Sequence, residues 1–147
     1  MPARTKIQEL MTKGIFSVQL EDTVRKADEI MRTENVRHVP VLDGGKYIGM
    51  ITERSIMEYT LRQLYDYHDH TFGDDGFNRI NDFQEIMAKS NYVIYPEDSV
   101  LKAVEIMSKR KIDYLPVIDW QGNLKGIITS VDLMLFFYKW LSEESKS

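Results

Sequence analysis

The sequence contains no cysteine, and its 147 residues include only four prolines and three histidines. The absence of thiols excludes disulfide bridges and thiolate metal sites. Acidic residues outnumber basic ones, 23 to 19, so no basic surplus favours nucleic acid as a partner. No apolar run is long enough to span a membrane, and the amino terminus lacks the apolar segment of a signal peptide. We therefore expect a soluble, cytoplasmic protein.

The chain does contain a tandem repeat. Three segments of the first half recur 76 residues later with several identities each: 8–11 with 84–87, 21–24 with 97–100, and 39–43 with 115–119. After one extra turn residue in the second copy, residues 49–57 match residues 126–134. Identities at constant spacing over so much of the chain indicate a duplicated structural unit.

Each copy is predicted to fold as strand, helix, strand, strand, helix. The predicted strands are 16–18, 39–42 and 47–51 in the first copy, and 92–94, 115–118 and 124–128 in the second. Asp22 and Asp98 are predicted to cap the first helix of each copy, and the glycine pair 44–45 predicts a tight hairpin. Because neither copy alone can bury its sheet well, we expect an α/β (α+β) fold: two β-α-β-β-α repeats packed sheet to sheet with pseudo-two-fold symmetry.

The predicted domain bounds are residues 1–58 for the first repeat, 59–82 for an inter-repeat segment and 83–147 for the second repeat. A connection as long as the inter-repeat segment is uncommon unless it has a purpose. Its first part, residues 61–65, is expected to extend the preceding helix.

Two histidines in the inter-repeat segment permit a metal-site interpretation. His68 and His70 have Asp69, Asp74 and Asp75 nearby. No helical histidine pair and no third ligand at regular spacing accompany them. We therefore expect a polar loop with packing aromatics and no metal.

Residues 126–132 (GIITSVD) mark the end of a buried strand and the start of a helix. Thr129 is a favourable N-cap, and Asp132 lies in the first turn, so their side chains are expected to meet at the helix entrance. Such an entrance favours a bound anion through its unpaired amides and dipole. The alternative is an ordinary capping box. The near copy at residues 49–55 (GMITERS) favours a function for the motif.

This duplicated pattern, with its P-V-x-D strand and G-h-h-T/S-x-x-D ending, resembles a CBS-domain pair, also called a Bateman module. The resemblance covers nearly the whole chain except the inter-repeat segment and the last residues. It implies two repeats packed through their sheets, with two pseudo-symmetric clefts. It also implies a regulatory module that binds AMP, ADP, ATP or S-adenosylmethionine, requires no further cofactor and signals to a separate effector protein.

In that family the acidic residue of the last motif typically holds the ribose hydroxyls, and the Thr or Ser three positions earlier contacts phosphate. Here those residues are Asp132 and Thr129. The resemblance implies one competent cleft lined by Met11, Thr12, Phe16, Val36, Arg37, His38, Tyr114, Ile127, Thr129 and Asp132. Arg37 or His38 would neutralise phosphate charge, although both could equally be solvated residues at a strand edge.

The second cleft departs from the family pattern. Ser55 stands where the aspartate belongs, and Asp113 stands where Arg37 lies in the first cleft. A carboxylate repels a phosphate, so we expect this cleft to be weak or empty, or to take a ligand without phosphates. Its predicted lining residues are Thr52, Ser55, Tyr92, Ile112 and Asp113.

Other classes of function compete with an adenosine-nucleotide sensor. An enzyme is not expected, because the sequence has no paired catalytic carboxylates, nucleophile elbow or Gly-rich phosphate loop. A ligand-independent dimerisation scaffold is an alternative, since fold alone does not establish function. The closing helix carries more aromatic surface than a monomer needs to hide, so we expect a homodimer; the alternative is that these residues cover the protein's own core. They are Phe136, Phe137, Tyr138 and Trp140.

Overall fold

The structure of the chain is a computed structural model that describes residues 2–65, 86–88 and 92–146. The residues pack as two units, which cut across the repeat of the sequence. The middle unit is Phe16–Asn91, and the terminal unit combines Met1–Ile15 with Tyr92–Ser147. The start of each repeat therefore packs with the body of the other repeat.

The middle unit follows the predicted order of elements. β1 (Val18–Gln19) leads to α1 (Val24–Glu34), then to the hairpin of β2 (His38–Asp43) and β3 (Lys46–Thr52), and α2 (Glu53–Tyr65) closes the unit. β2 lies at the centre of the sheet, parallel to β1 and antiparallel to β3. The predicted first strand began two residues too early, and the predicted extension of the closing helix is confirmed.

The turn between β2 and β3 is formed by Gly44 and Gly45, as predicted. Both residues have positive φ, 57° and 85°. This is the left-handed region that glycine enters without steric cost, and tight hairpins require it.

The terminal unit repeats the same order. α3 (Val100–Arg110) precedes the antiparallel hairpin of β4 (Tyr114–Ile118) and β5 (Leu124–Thr129), and α4 (Ser130–Ser145) closes the unit. The short 3-10 helix Ile7–Glu9 leads the amino-terminal segment toward β5.

Short segments cover both edges of the β4–β5 hairpin. Ile94 makes a single parallel bridge to Val117 of β4, so the predicted first strand of the second copy is reduced to one bridge. Thr12 makes an antiparallel bridge to Ile127 of β5. The amino-terminal segment is thereby fixed beside the carboxyl end of β5.

Each unit has its own apolar core, built from matching positions of the repeat. The buried residues of the middle unit are Val18, Val24, Ala27, Met31, Val39, Val41, Ile51, Tyr59 and Ile86. Those of the terminal unit are Ile7, Ile94, Val100, Ala103, Met107, Leu115, Val117, Ile128 and Leu133. The alanine and the methionine of α1 and of α3 lie four residues apart, on one face of each helix, and pack in the cores.

The predicted helix caps at Asp22 and Asp98 are wrong by one residue. Thr23 and Ser99 are the N-caps, and their hydroxyls accept hydrogen bonds from amides three residues later. The Asp22 carboxylate instead accepts from the Gln19 amide at 2.7 Å, which lowers the pKa of Asp22 and closes the turn before the helix. The hydroxyl therefore caps the helix while the neighbouring carboxylate stabilises the turn.

The α+β class is confirmed, and so is the order of elements, except that the first strand of the second copy is a single bridge. The predicted polar loop with His68 and His70 lies outside the described residues. Among the helices within the described ranges, none combines the length and the apolar character needed to cross a bilayer.

Candidate functional site

The carboxyl end of β5 turns directly into α4 at Thr129. Thr129 has extended backbone angles (φ −118°, ψ 167°), and its hydroxyl accepts a hydrogen bond from the Asp132 amide at 3.3 Å. Asp132 Oδ2 in turn accepts from the Thr129 amide at 2.9 Å. The predicted meeting of these side chains is confirmed as a reciprocal capping box, which places the carboxylate at the positive end of the α4 dipole.

A distant segment of the chain reaches the same carboxylate. The Thr12 hydroxyl donates to Asp132 Oδ1 at 3.1 Å, and the Thr129 hydroxyl donates to Oδ2 at 3.1 Å. Thr12 is held by its backbone, which exchanges two hydrogen bonds with Ile127 (2.9 and 3.0 Å). We call Thr12, Thr129 and Asp132 the Asp132 cluster. It presents a half-buried carboxylate flanked by two hydroxyls, a group suited to accept hydrogen bonds from ligand hydroxyls.

Gly126 allows the Thr12 segment to approach β5. A Cβ at this position would lie 2.8 Å from the Thr12 carbonyl oxygen and 3.0 Å from Met11 Sδ. Only glycine leaves room for this backbone approach, so Gly126 supports the placement of Thr12 beside Asp132.

The middle unit has the same turn with different chemistry. The Thr52 amide donates to Ser55 Oγ at 2.8 Å, and the Ser55 amide donates to Thr52 Oγ1 at 2.9 Å. Ser55 Oγ also donates to the Thr52 carbonyl oxygen at 2.9 Å. Ala88 stands where the terminal unit has Thr12, and its amide bonds the Met50 carbonyl. At the position of Asp132 this turn has Ser55, and the serine hydroxyl is used by the cap.

The predicted first-cleft residues divide between the two units. The terminal unit contains Met11, Thr12, Tyr114, Ile127, Thr129 and Asp132. Tyr114 pairs with Thr129 across the β4–β5 hairpin and is buried. Burial raises the pKa of Tyr114 to about 12, and the Asp113 carboxylate adds to the effect. The phenol is therefore neutral in the folded protein at physiological pH.

The middle unit contains the other four predicted first-cleft residues. Val36 packs against the core, while Phe16 and Arg37 are exposed. The Arg37 carbonyl accepts from the Glu53 amide at 3.1 Å, and His38 begins β2. A ligand role for these residues stays a prediction.

The predicted second-cleft residues also divide between the units. The middle unit contains Thr52 and Ser55, and the terminal unit contains Tyr92, Ile112 and Asp113. Ile112 packs against the terminal core, and the Arg110 guanidinium lies 5.0 Å from the centroid of the Tyr92 ring. Arg110 was not predicted, because its position at a helix end is equally explained by the dipole. This contact places a cation next to one of the predicted lining residues.

The terminal unit also contains a cavity that the sequence did not indicate. Its volume is about 550 Å³, and it is lined by Gln8, Glu9, Met11, Lys13, Pro96 and Lys125. Met11 and Lys13 flank Thr12 in the chain, but the residues of the Asp132 cluster do not line this cavity. The two lysines are far apart in the sequence, and no local motif marks them as a pair. Glu9 also lines the cavity, and Lys125 Nζ lies 3.8 Å from Asp119 Oδ2, so the charges of the two lysines are partly offset.

Within the described ranges, no group of three or more acidic or histidine side chains is arranged to hold a metal ion. The metal candidates considered in the sequence, His68 and His70, lie outside those ranges.

A family profile for the CBS domain matches residues 7–62 and 83–139, two tandem segments that together include both strand–helix turns described above. The chain belongs to the CBS domain family. The CBS domain-containing protein YhcV of Bacillus subtilis is 30% identical to it over 129 residues, which cover 88% of this chain and 83% of YhcV.

Other relatives are much longer proteins. The inosine-5′-monophosphate dehydrogenase of Korarchaeum cryptofilum is 28% identical over 134 residues, which cover 91% of this chain and 24% of the dehydrogenase. The chain thus spans about a quarter of the length of the first curated relatives it matches.

Solved structures of CBS proteins share the fold. The CBS domain pair of protein MJ0100, in complex with 5′-methylthioadenosine and S-adenosylmethionine, matches with a TM-score of 0.74 at 24% identity, covering 92% of this chain and 97% of that one. CBSX2 in complex with AMP matches with a TM-score of 0.72 at 20% identity, covering 95% and 98%. The predicted tandem CBS architecture is therefore confirmed, and at these identities the likeness concerns the fold.

Proposed function

We propose that this chain is a regulatory module that binds an adenosine nucleotide of the AMP, ADP or ATP class and signals to a separate effector protein. The observation that carries the proposal is the Asp132 carboxylate, held at the entrance of α4 by Thr129 and contacted by Thr12. No chemical step is proposed; the module acts through ligand-dependent changes in shape or partner affinity.

The chemistry of the Asp132 cluster fits a nucleoside phosphate. A carboxylate accepts hydrogen bonds from ribose hydroxyls, and the amino end of a helix favours a phosphate. Lys13 follows Thr12 in the chain and adds a cation to this segment. The matching turn of the middle unit has Ser55 and Ala88 instead, so we propose one competent site per chain.

Proteins of the same fold support the ligand class. CBSX2 was solved with AMP, and the MJ0100 pair with 5′-methylthioadenosine and S-adenosylmethionine. All three ligands contain an adenosine with ribose hydroxyls, so an S-adenosylmethionine sensor is the alternative within this class. The amino end of α4 favours a phosphate, whereas the cationic S-adenosylmethionine gains nothing from it.

Isothermal titration calorimetry with AMP, ADP, ATP and S-adenosylmethionine tests the proposal. We expect saturable binding of a nucleotide near one ligand per chain, and loss of that binding in Asp132→Asn, which keeps the size of the side chain and removes its charge. Glu105→Gln is the matched control, because it removes an exposed carboxylate from α3. That carboxylate contacts Lys109, which is also exposed.

The outcomes separate the hypotheses. Binding that both variants retain would contradict a site at Asp132. Absence of heat with every ligand, together with an unchanged melting temperature, would contradict the sensor and favour a ligand-independent scaffold.

The exposed face of α4 favours a homodimer as the second element of the proposal. Val131, Met134, Leu135 and Tyr138 are each more than half exposed. Of the aromatic residues considered in the sequence, Phe136 packs on the terminal core, whereas Phe137 and Trp140 are exposed. Apolar surface of this extent on one helix is typical of an interface. The same surface would serve a dimerisation scaffold, so the binding experiment, and not the oligomeric state, decides between the two functions.

A further inference from the structure

The Asp132 carboxylate has few acceptor positions left for a ligand. A carboxylate offers about four lone-pair positions. The Thr129 amide and hydroxyl occupy two on Oδ2, and the Thr12 hydroxyl occupies one on Oδ1. One position therefore remains, on Oδ1. A ribose presents two neighbouring hydroxyls, so it needs one more position than the cluster leaves open.

Of the three donors, Thr12 is the one most open to water. The Thr129 amide belongs to the backbone, and the half-buried Thr129 oxygen is held beside Asp132 Oδ2 because it accepts from the Asp132 amide. The Thr12 side chain is exposed, and its residue is held to Ile127 by backbone hydrogen bonds alone. Rotation about χ1 moves its hydroxyl into water while the bridge to β5 stays intact.

We propose that Thr12 is an internal competitor at the nucleotide site. Its hydroxyl occupies the second acceptor position of Asp132 in the free protein, and a ligand with both ribose hydroxyls displaces it. The inference rests on the proposed function and adds one element to it. Thr12 weakens the binding of ligands that carry a vicinal diol and does not affect the binding of ligands with a single hydroxyl.

In the middle unit, the Thr12 hydroxyl and the Asp132 carboxylate are both replaced. The turn with Ser55 at the position of Asp132 has Ala88 at the position of Thr12, so the hydroxyl is absent where there is no carboxylate at the matching position. One backbone hydrogen bond is kept in both units, from the amide of Thr12 to the Ile127 carbonyl and from the amide of Ala88 to the Met50 carbonyl, so this contact does not require the threonine hydroxyl. We therefore assign the Thr12 hydroxyl to the Asp132 carboxylate and not to the stability of the fold.

Calorimetric titration of AMP and ATP, each with its 2′-deoxy and 3′-deoxy form, tests the inference. The variants are Thr12→Val, which keeps the branched shape, and Thr12→Ser, which keeps the hydroxyl. We expect Thr12→Val to bind AMP or ATP about two- to tenfold more tightly than the wild type, as loss of one competing hydrogen bond implies. Thr12→Ser and all deoxynucleotide affinities are expected to stay within about twofold of the wild type. If Thr12→Val does not fold, Thr12→Ala removes the same hydroxyl.

The result also distinguishes this inference from the proposed function. Nucleotide binding by the wild type with equal or weaker binding by Thr12→Val would overturn the competition and leave the site in place. An equal gain for ribonucleotides and deoxynucleotides would overturn it as well, since a diol would not be needed. Failure of every variant to bind any nucleotide would overturn both. Binding by Thr12→Val alone would support both.

Discussion

The Thr129 hydroxyl accepts from the Asp132 amide at 3.3 Å and donates to the Asp132 carboxylate at 3.1 Å. One hydroxyl therefore both caps α4 and orients the carboxylate proposed to hold the ligand. The same two residues stabilise the helix and form the site, so their substitution changes stability as well as binding.

Thr129→Ala is expected to lower the free energy of unfolding by about 1 kcal/mol, the usual cost of removing a hydroxyl N-cap. Thr129→Ser keeps the hydroxyl and is expected to restore most of this loss. Urea denaturation followed by circular dichroism measures both values. Equal stability of Thr129→Ala and the wild type would contradict the capping role.

Gly126→Ala is expected to destabilise the protein by about 1–3 kcal/mol, because the new methyl group would press on the Thr12 carbonyl, which is backbone and cannot rotate away. Gly49→Ala is the matched variant in the middle unit. There the methyl group would meet the flexible Met87 side chain, so the loss should be smaller. Thermal denaturation of both variants compares them. A larger loss for Gly49→Ala would contradict this account of the two glycines.

Because Tyr114 is buried, we expect the protein to lose stability at alkaline pH. The pKa of Tyr114 is raised by burial from 10.0 to about 12, so between these values the folded protein keeps a proton that the unfolded chain has lost. The free energy of unfolding should therefore fall as pH rises through this window, with a loss of up to about 2 kcal/mol from this residue.

Chemical denaturation at several pH values between 9 and 12 or so measures this decline. Tyr114→Phe cannot titrate at this position, so its decline is expected to be shallower. Identical pH profiles for the two proteins would show that burial of Tyr114 does not couple its titration to folding.

The exposed face of α4 predicts that a charge there dissociates the dimer. Met134→Glu and Tyr138→Glu are expected to shift the mass measured by light scattering from that of a dimer to that of a monomer, because a carboxylate is costly to bury in an apolar interface. Lys139→Glu changes the charge at an exposed polar position of the same helix and serves as the control. A wild-type protein that is monomeric at micromolar concentration would contradict the dimer.

Local spacing was enough to predict the helices, the two hairpins and the α4 cap. Thr129 and Asp132 are three residues apart, so their contact follows from helix geometry. Adjacent candidates for a cap are harder to separate. Asp22 and Thr23 are both good capping residues, and only the backbone conformation decides that Thr23 caps the helix while Asp22 closes the turn before it.

Long-range pairing could not be predicted in the same way. The bond from Thr12 to Asp132 spans 120 positions, and it depends on which copy the amino-terminal segment packs against. Residues 8–11 and 84–87 have nearly the same apolar pattern, so the sequence is compatible with either arrangement. The structure packs Met11 beside Gly126 and Met87 beside Gly49, so each segment joins the other copy.

We propose that one adenosine nucleotide binds per chain at Asp132. Native mass spectrometry of the protein with a modest excess of AMP or ATP counts bound nucleotides directly. We predict one nucleotide per chain in the wild type and in Glu105→Gln, and none in Asp132→Asn. Two nucleotides per chain, or one that persists in Asp132→Asn, would contradict the claim.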